Sequence, residues 1–159
     1  GKKRGKVMVL TGSMLARDHL ERRLGFDEVM GQDFPHIDVL ASLEGRDDPD
    51  LIERLLPDAL AENSNVIGIY SSAAGNEGLV RFFNSHNFDD KPAVVAHELT
   101  PLSRTALNNG VIDAVISQDP GHLIRSAVRV MRAKRDQRPL NSAQERIRID
   151  IYLKENMPP

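Results

Sequence analysis

The sequence predicts an α/β protein: three layers, α/β/α, around a mostly parallel sheet of about six strands. Three observations predict it. Short, nearly continuous apolar runs alternate along the chain with longer amphipathic stretches, as expected of strands buried on both faces and the helices that cover them. Helix-start signals, Asp48-Pro49 and Thr100-Pro101, fall where the pattern changes from one type to the other. Finally, 159 residues suffice for one domain or one large lobe, and such a chain buries roughly 70% of its unfolded surface without staples.

The elements follow in order. Val7 to Leu10 reads as a buried strand ending in Thr11-Gly12-Ser13, and a helical stretch runs from about Ala16 to Gly31. Ile37 to Ala41 is a second strand. After the Asp48-Pro49 cap, Leu51, Ile52, Leu55, Leu56, Ala59 and Leu60 share one helix face, with Pro57 expected to kink or break it. Asn63-Ser64-Asn65 is a turn. Val66 to Tyr70 is a third strand, Glu77 to Ser85 a short helix, and Ala93 to Ala96 a fourth strand. The helix capped by Thr100 stops at Asn109-Gly110. A fifth strand is expected over Val111 to Ile116. A helix from about Gly121 to Ala133 puts Leu123, Ile124, Ala127, Val128 and Met131 on one face. Arg135 to Ser142 is the best linker. Arg146 to Leu153 alternates, with Ile147, Ile149, Ile151 and Leu153 between charged residues and Tyr152, and suits an edge strand.

Composition narrows the function. The net charge is −2, which argues against a chain that binds nucleic acid over its whole surface. The absence of cysteine excludes disulfides, thiolate metal sites and a cysteine nucleophile. No apolar run approaches the ~18 residues of a membrane span. The basic start, Lys2, Lys3, Arg4 and Lys6, precedes an apolar run too short for a signal peptide, so a cytoplasmic location is expected. These cations suit a solvated flank better than a DNA-recognition element.

In open parallel sheets, ligands bind beyond the carboxyl ends of the strands. Five loops qualify: Thr11-Gly12-Ser13, Glu44 to Asp48, Ser71-Ser72, His97 to Thr100, and Gln118-Asp119. They are rich in hydroxyl, carboxylate and amide groups. His19, His36, His86, His97 and His122 lack metal-ligand spacing and read as surface or packing residues. Neither a phosphate-binding G-x-x-x-x-G-K-[ST] nor a G-x-S-x-G elbow occurs. Thr11-Gly12-Ser13 fits a phosphate at a helix N-terminus, but fits a plain tight turn better. What remains suits a polyhydroxylated ligand: carboxylates accept from vicinal hydroxyls, and an arginine donates in a planar fork. No metal, cofactor or catalytic group is expected.

Several strings carry a family resemblance. Val9-Leu10-Thr11-Gly12-Ser13, Arg17-Asp18-His19 and Glu21-Arg22-Arg23-Leu24-Gly25-Phe26 come first. Ile69 to Asn76 follows, then Val94-Val95-Ala96-His97-Glu98-Leu99-Thr100-Pro101 and Asn109 to Pro120. Over nearly the whole chain, in order and spacing, this resembles the second lobe of the sugar-sensing core of LacI-type transcriptional regulators, a core shared with periplasmic sugar-binding proteins. The resemblance implies a periplasmic-binding-protein-like lobe and a ligand-binding role for Arg22, Ser71, Ser72, Glu98 and Gln118. Glu98 stands where the family's Gly-Phe-Asp-x-Thr-Pro has Asp, and Ala96-His97 depart from that pattern. Arg46 and Asp47 are placed near the cleft by their loop alone, and a solvated charged loop is their favoured role.

The resemblance further implies a division of the chain. Residues 1–118 form the second lobe, residues 119–142 a crossover helix and linker packed on a first lobe outside this chain, and residues 143–159 a strand returning to the second lobe. Apart from its partner lobe, the crossover helix is expected to fold back, exchange or self-associate. The implied function is sensing of a sugar or polyol effector between two lobes, with operator DNA bound only through an N-terminal domain outside this chain. A homodimer is expected, and no membrane partner. Two alternatives stand beside it: a periplasmic sugar-binding protein of a transporter, and a small α/β enzyme using Glu98 or Asp119 as base.

Overall fold

A computed structural model describes residues 4–72 and 74–158 of the chain. Lys2 and Lys3 of the basic start, and Ala73 in the third loop, lie outside the described residues. The strands are β1 (Gly5–Thr11), β2 (Ile37–Glu44), β3 (Val66–Ser71), β4 (Ala93–His97), β5 (Ala114–Gln118) and β6 (Ile149–Tyr152). The helices are α1 (Arg17–Asp33), α2 (Pro49–Glu62), α3 (Asn76–Ser85), α4 (Pro101–Asn108) and α5 (Pro120–Arg135). They build one six-stranded sheet in the order β2-β1-β3-β4-β5-β6. All neighbours are parallel except β5 and β6, which are antiparallel.

The sheet's two faces are covered unequally. Alternation along the strands sends Met8, Leu10, Ile69, Val94, Ala96 and Val115 to one face, where they form the main core with α2, α3 and α4. Leu56, Leu79 and Leu107 come from those three helices and are essentially inaccessible, each burial contributing about 2 kcal/mol. The opposite face carries Val7, Tyr70, Val95 and Ile116 and is covered by α1 through Phe26, Val29 and Met30, around an apolar groove of about 390 Å³. This sidedness follows from strand order. The step from β1 to β2 runs one way across the sheet and later steps run the other, so right-handed crossovers put α1 opposite α2, α3 and α4.

The capping signals act as the sequence predicts. Asp48 accepts from the amides of Asp50 and Leu51, and Thr100 and Ser103 form a reciprocal capping box. Gly110 ends α4 at φ 72°. The expected effect of Pro57 is smaller than a break: α2 runs through it, forgoing only the bond that its missing N–H would donate to Glu53.

Strand boundaries differ from the sequence expectation: β1 and β3 are slightly longer, and β2 runs on to Glu44 where Ala41 was expected. β5 starts at Ala114, not Val111, because the amides of Val111 and Ile112 both donate to the Ala106 carbonyl at 2.9 and 3.2 Å and wrap the chain around the end of α4. Those two residues are apolar because they are buried there. β4 continues to His97, which pairs with Ile116. β6 is only Ile149–Tyr152, an edge strand as expected, and Tyr152 is the side chain that packs toward the core. Ile149 and Ile151 lie exposed on the other face.

Helix α5 stands apart from the main core. Leu123, Ile124, Val128 and Met131 are all exposed, Met131 at 63%. Its polar side is tied to the following segment instead. Arg129 pairs with Glu145 at 2.9 Å, Ser126 also donates to Glu145, and both bonds hold that carboxyl below the usual range, the arginine most strongly.

Candidate functional site

The carboxyl ends of β1, β2, β3 and β4 open onto a cavity of about 510 Å³. Its polar lining includes His19, Arg22, Asp47, Asn76, His97 and Glu98. Local backbone chemistry shapes it. Gly12 leaves β1 so close to the next loop that a Cβ there would lie 2.5 Å from both Asp47 Oδ1 and the His19 ring. Gly75 takes φ 89° at the start of α3, a conformation that glycine adopts without penalty.

Arg22 projects from the second turn of α1. Its Nη1 donates to the Ser72 carbonyl at 2.6 Å, which aims the guanidinium across the end of the sheet. Among the described residues no carboxylate lies within ion-pairing distance of it. Asp47 sits in a loop where both Arg46 and Asp47 have positive φ, 52° and 56°. Its Oδ1 accepts from the Ala74 amide at 3.1 Å, joining the second loop to the third. Glu98 follows β4 at φ 68°, an uncommon conformation for a residue with a Cβ. Its amide donates to the Ile116 carbonyl at 2.8 Å, its carbonyl accepts from the Ser103 hydroxyl, and its side chain is left exposed at the rim.

Below the rim lies an aromatic array. Phe26 stacks on Tyr70, with ring centroids 4.7 Å apart, and Tyr70 meets His97 through its hydroxyl and His97 Nε2 at 2.8 Å. His97 is 7% exposed. Burial first, and the nearby Arg22 charge second, lower its pKa to about 4, so the imidazole is neutral at physiological pH. Burial likewise raises the Tyr70 pKa, and Arg22 opposes that rise.

The structure brings Arg22, Asp47 and Glu98 together, and does not bring the other sequence-predicted residues to the cavity. Ser71 and Ser72 are fully buried, their hydroxyls donating to Asn76 Oδ1 at 2.7 Å and to the Leu10 carbonyl at 3.1 Å. These bonds within the protein occupy the groups expected to meet a ligand. Ser71 acts indirectly, since Asn76 lines the cavity and also donates to the His97 carbonyl. Gln118 is half-buried at the end of β5, outside the lining, and Arg46 is exposed beside Asp47. Asp119 serves as the N-cap of α5, and its bond from the His122 amide lowers its pKa. Of the other polar lining residues, Asn76 and Glu77 were given no ligand role, Thr100 was read as a helix cap, and His19 and His97 were read as surface or packing residues, although His97 opens one of the five candidate loops. The available signal for His97 was its place between an apolar strand and Glu98.

The positive φ of Glu98 carries a prediction. Glu98→Gly relieves on the order of 1 kcal/mol of backbone strain, offset in part by the entropy of glycine. The variant should melt at or slightly above wild type while binding ligand more weakly. Calorimetry and thermal melts together check it; a clear loss of stability would show that the carboxylate holds the fold.

A family model described as the periplasmic binding protein domain matches residues 1–138. The chain belongs to this family. Solved structures of sugar- and solute-binding proteins share its fold. Similarity to the glucose-galactose binding protein GanP from Geobacillus stearothermophilus has TM-score 0.85 at 19% identity, covering 98% of this chain and 55% of that one. For an ABC transporter solute-binding protein from Burkholderia graminis in complex with D-arabinose, the TM-score is 0.82 at 22% identity, with 96% and 54% covered. The arabinose-binding protein AraP from Geobacillus stearothermophilus gives 0.77 at 20% identity, with 96% and 55% covered. The chain thus spans about half the length of these proteins. No curated protein sequence matches it.

In this periplasmic-binding-protein-like fold, the cavity lies where strand direction places ligands in open α/β sheets. Among the described residues, no group of His, Asp and Glu is arranged to hold a metal ion, and no helix is long and apolar enough to cross a membrane.

Proposed function

We propose that this chain is the effector-binding part of a LacI-type DNA-binding transcriptional regulator, and that its effector is a sugar or related polyol. The observation that carries the ligand class is the gathering of Arg22, Asp47 and Glu98 around one cavity at the carboxyl edge of the sheet. A guanidinium without a carboxylate partner donates to hydroxyl oxygens, and the two carboxylates accept from hydroxyls. Related solved structures are complexes with D-arabinose, D-allose and tagatose, which supports the same class.

The regulator reading rests on the Arg22-to-Phe26 and Glu98-to-Pro101 strings and on Asn109 to Pro120. In this reading residues 1–118 are one lobe of a clamp, residues 119–142 cross to the other lobe, and residues 143–159 return. The exposed stripe on α5 is the surface that meets the other lobe. The protein works in the cytoplasm as a homodimer, and a separate domain contacts DNA. Closure on the ligand changes DNA affinity only through the ligand's differential affinity for the two states. Catalysis is no part of this function.

A transport binding protein is the second reading, favoured by the transporter proteins among the structural relatives. A thermal-shift screen of the full-length protein against monosaccharides, disaccharides and polyols tests the ligand, since a binder raises Tm by mass action. DNA selected from a random library tests the regulator. A sugar that raises Tm and shifts affinity for the selected DNA supports it. Sugar binding with no DNA selected would support the transporter reading instead.

A further inference from the structure

Charge is divided unevenly along the chain. Residues 120–148 hold eight arginines and lysines against two carboxylates, a net charge of +6, while the rest of the chain carries −8. On α5 the cations and the apolar stripe take different sides. Arg125, Arg129 and Arg132 recur at i, i+4 and i+7, roughly opposite Leu123, Ile124 and Met131. Arg129, Arg132, Arg135 and Arg138, with Asn141 and Gln144, line a cavity of about 560 Å³ between the end of α5 and the segment that follows it. Glu145 holds Arg129, and Asp136 holds Arg135. Among the described residues no carboxylate lies within ion-pairing distance of Arg132 or Arg138, and both are exposed. A cation in the last turn of a helix complements its dipole, which accounts for Arg132 and Arg135. It does not account for Arg125, ahead of that turn, or for Arg138, beyond the helix end.

We propose that the arginine-lined end of α5 is a docking surface for the phosphate backbone of DNA, adding sequence-independent contacts to those of the separate DNA-binding domain. This rests on the regulator reading above. Seven of the eight cations are arginines, whose planar fork fits two phosphate oxygens at once. From Arg125 to Arg135 the row extends about 15 Å along the helix, too long for one small anion and suited to a duplex, which carries a negative charge every ~1.7 Å of its axis. Its position keeps the two ligands apart. α5 starts just beyond the carboxyl end of β5 and has 16 residues, so its last turn lies about 24 Å along the helix axis from its start at the sheet. DNA at that end does not compete with a sugar in the cavity, and it leaves the apolar stripe for the other lobe. The negative charge on the rest of the chain repels the duplex and steers it to this end.

The test is fluorescence anisotropy of the full-length protein on two labelled duplexes of equal length, one of its selected sequence and one of random sequence, at about 50 to 200 mM salt. The variant carries Arg132→Ala and Arg138→Ala, two exposed residues outside the ion pairs, so its Tm and sugar affinity should match wild type. It should bind both duplexes on the order of 10-fold more weakly, by the same factor, and the slope of log affinity against log salt should fall by about 2. Arg132→Lys with Arg138→Lys keeps the charge and should keep the slope. Unchanged affinity and slope in the alanine variant would overturn the docking surface while leaving the regulator reading standing. So would a loss confined to the selected sequence, since phosphate contacts carry no sequence information. If wild type binds no DNA, the regulator reading falls and this surface with it. Binding of poly-L-glutamate that the alanine variant loses, with DNA affinity unchanged, would assign the surface to an acidic protein and overturn the DNA assignment.

Discussion

Arg22→Ala in the full-length protein is expected to lower sugar affinity on the order of 10- to 100-fold without unfolding the domain. Hydrogen bonds from a charged donor contribute about 1.5–3 kcal/mol, which is that range of affinity. The side chain is half-buried, projects from α1 and, among the described residues, makes one bond, to the Ser72 carbonyl. Losing that bond leaves the carbonyl of the buried Ser72 without the arginine N–H, so a folding cost of about 1–3 kcal/mol should accompany the loss of affinity. Calorimetry and a thermal melt separate the two effects. Unchanged affinity would defeat the placing of the site; parallel loss of affinity and of cooperative melting would make Arg22 a structural residue.

Acid should destabilise the protein through His97. An unfolded histidine titrates near 6.5, whereas the folded imidazole titrates at about 4. Between these values the unfolded chain binds a proton that the folded one refuses. The His97 contribution is therefore fully present above about pH 6.5 and is lost progressively as the pH falls to about 4. The gap corresponds to on the order of 3 kcal/mol. His97→Phe should lose this acid sensitivity. It also leaves the Tyr70 hydroxyl without its partner, so the variant should start from lower stability at neutral pH, by about 1–3 kcal/mol. The slope distinguishes the effects. Urea melts from pH 7 to pH 4 should show wild-type stability falling faster than that of the variant. Parallel slopes would mean that water reaches the ring.

Different parts of the molecule were legible in the sequence to different degrees, for physical reasons. Helix starts at Asp48 and Thr100 are local signals, set by a side chain and the next three amides, and both stand as read. β5 was displaced because Val111 and Ile112 are apolar through burial, not through strand pairing; only the bonds to Ala106 distinguish the two. Residues 146–148 continue the alternation of β6 yet lie outside it, since alternation marks an accessible face and not a ladder. In the site, Arg22 and Glu98 were found through the resemblance, because nothing local marks a helical arginine or a loop carboxylate. Ser71 and Ser72 were expected at the ligand, but their hydroxyls satisfy Asn76 and Leu10. His97 opened one of the five candidate loops but was read as a surface or packing residue, with the strand ending at Ala96. One further residue on β4 carries the ring onto the Tyr70 side of the sheet, into a pairing between strands that sequence order does not reveal.

Whether the carboxyl edge of the sheet is the ligand-binding edge is tested most directly by hydrogen exchange of the full-length protein, with and without a saturating sugar. Amides at residues 12–13, 46–48, 74–76 and 98–100 are expected to gain protection together, while those at the amino ends of the same strands stay unchanged. Protection confined to the opposite edge, or to α5 alone, would contradict it.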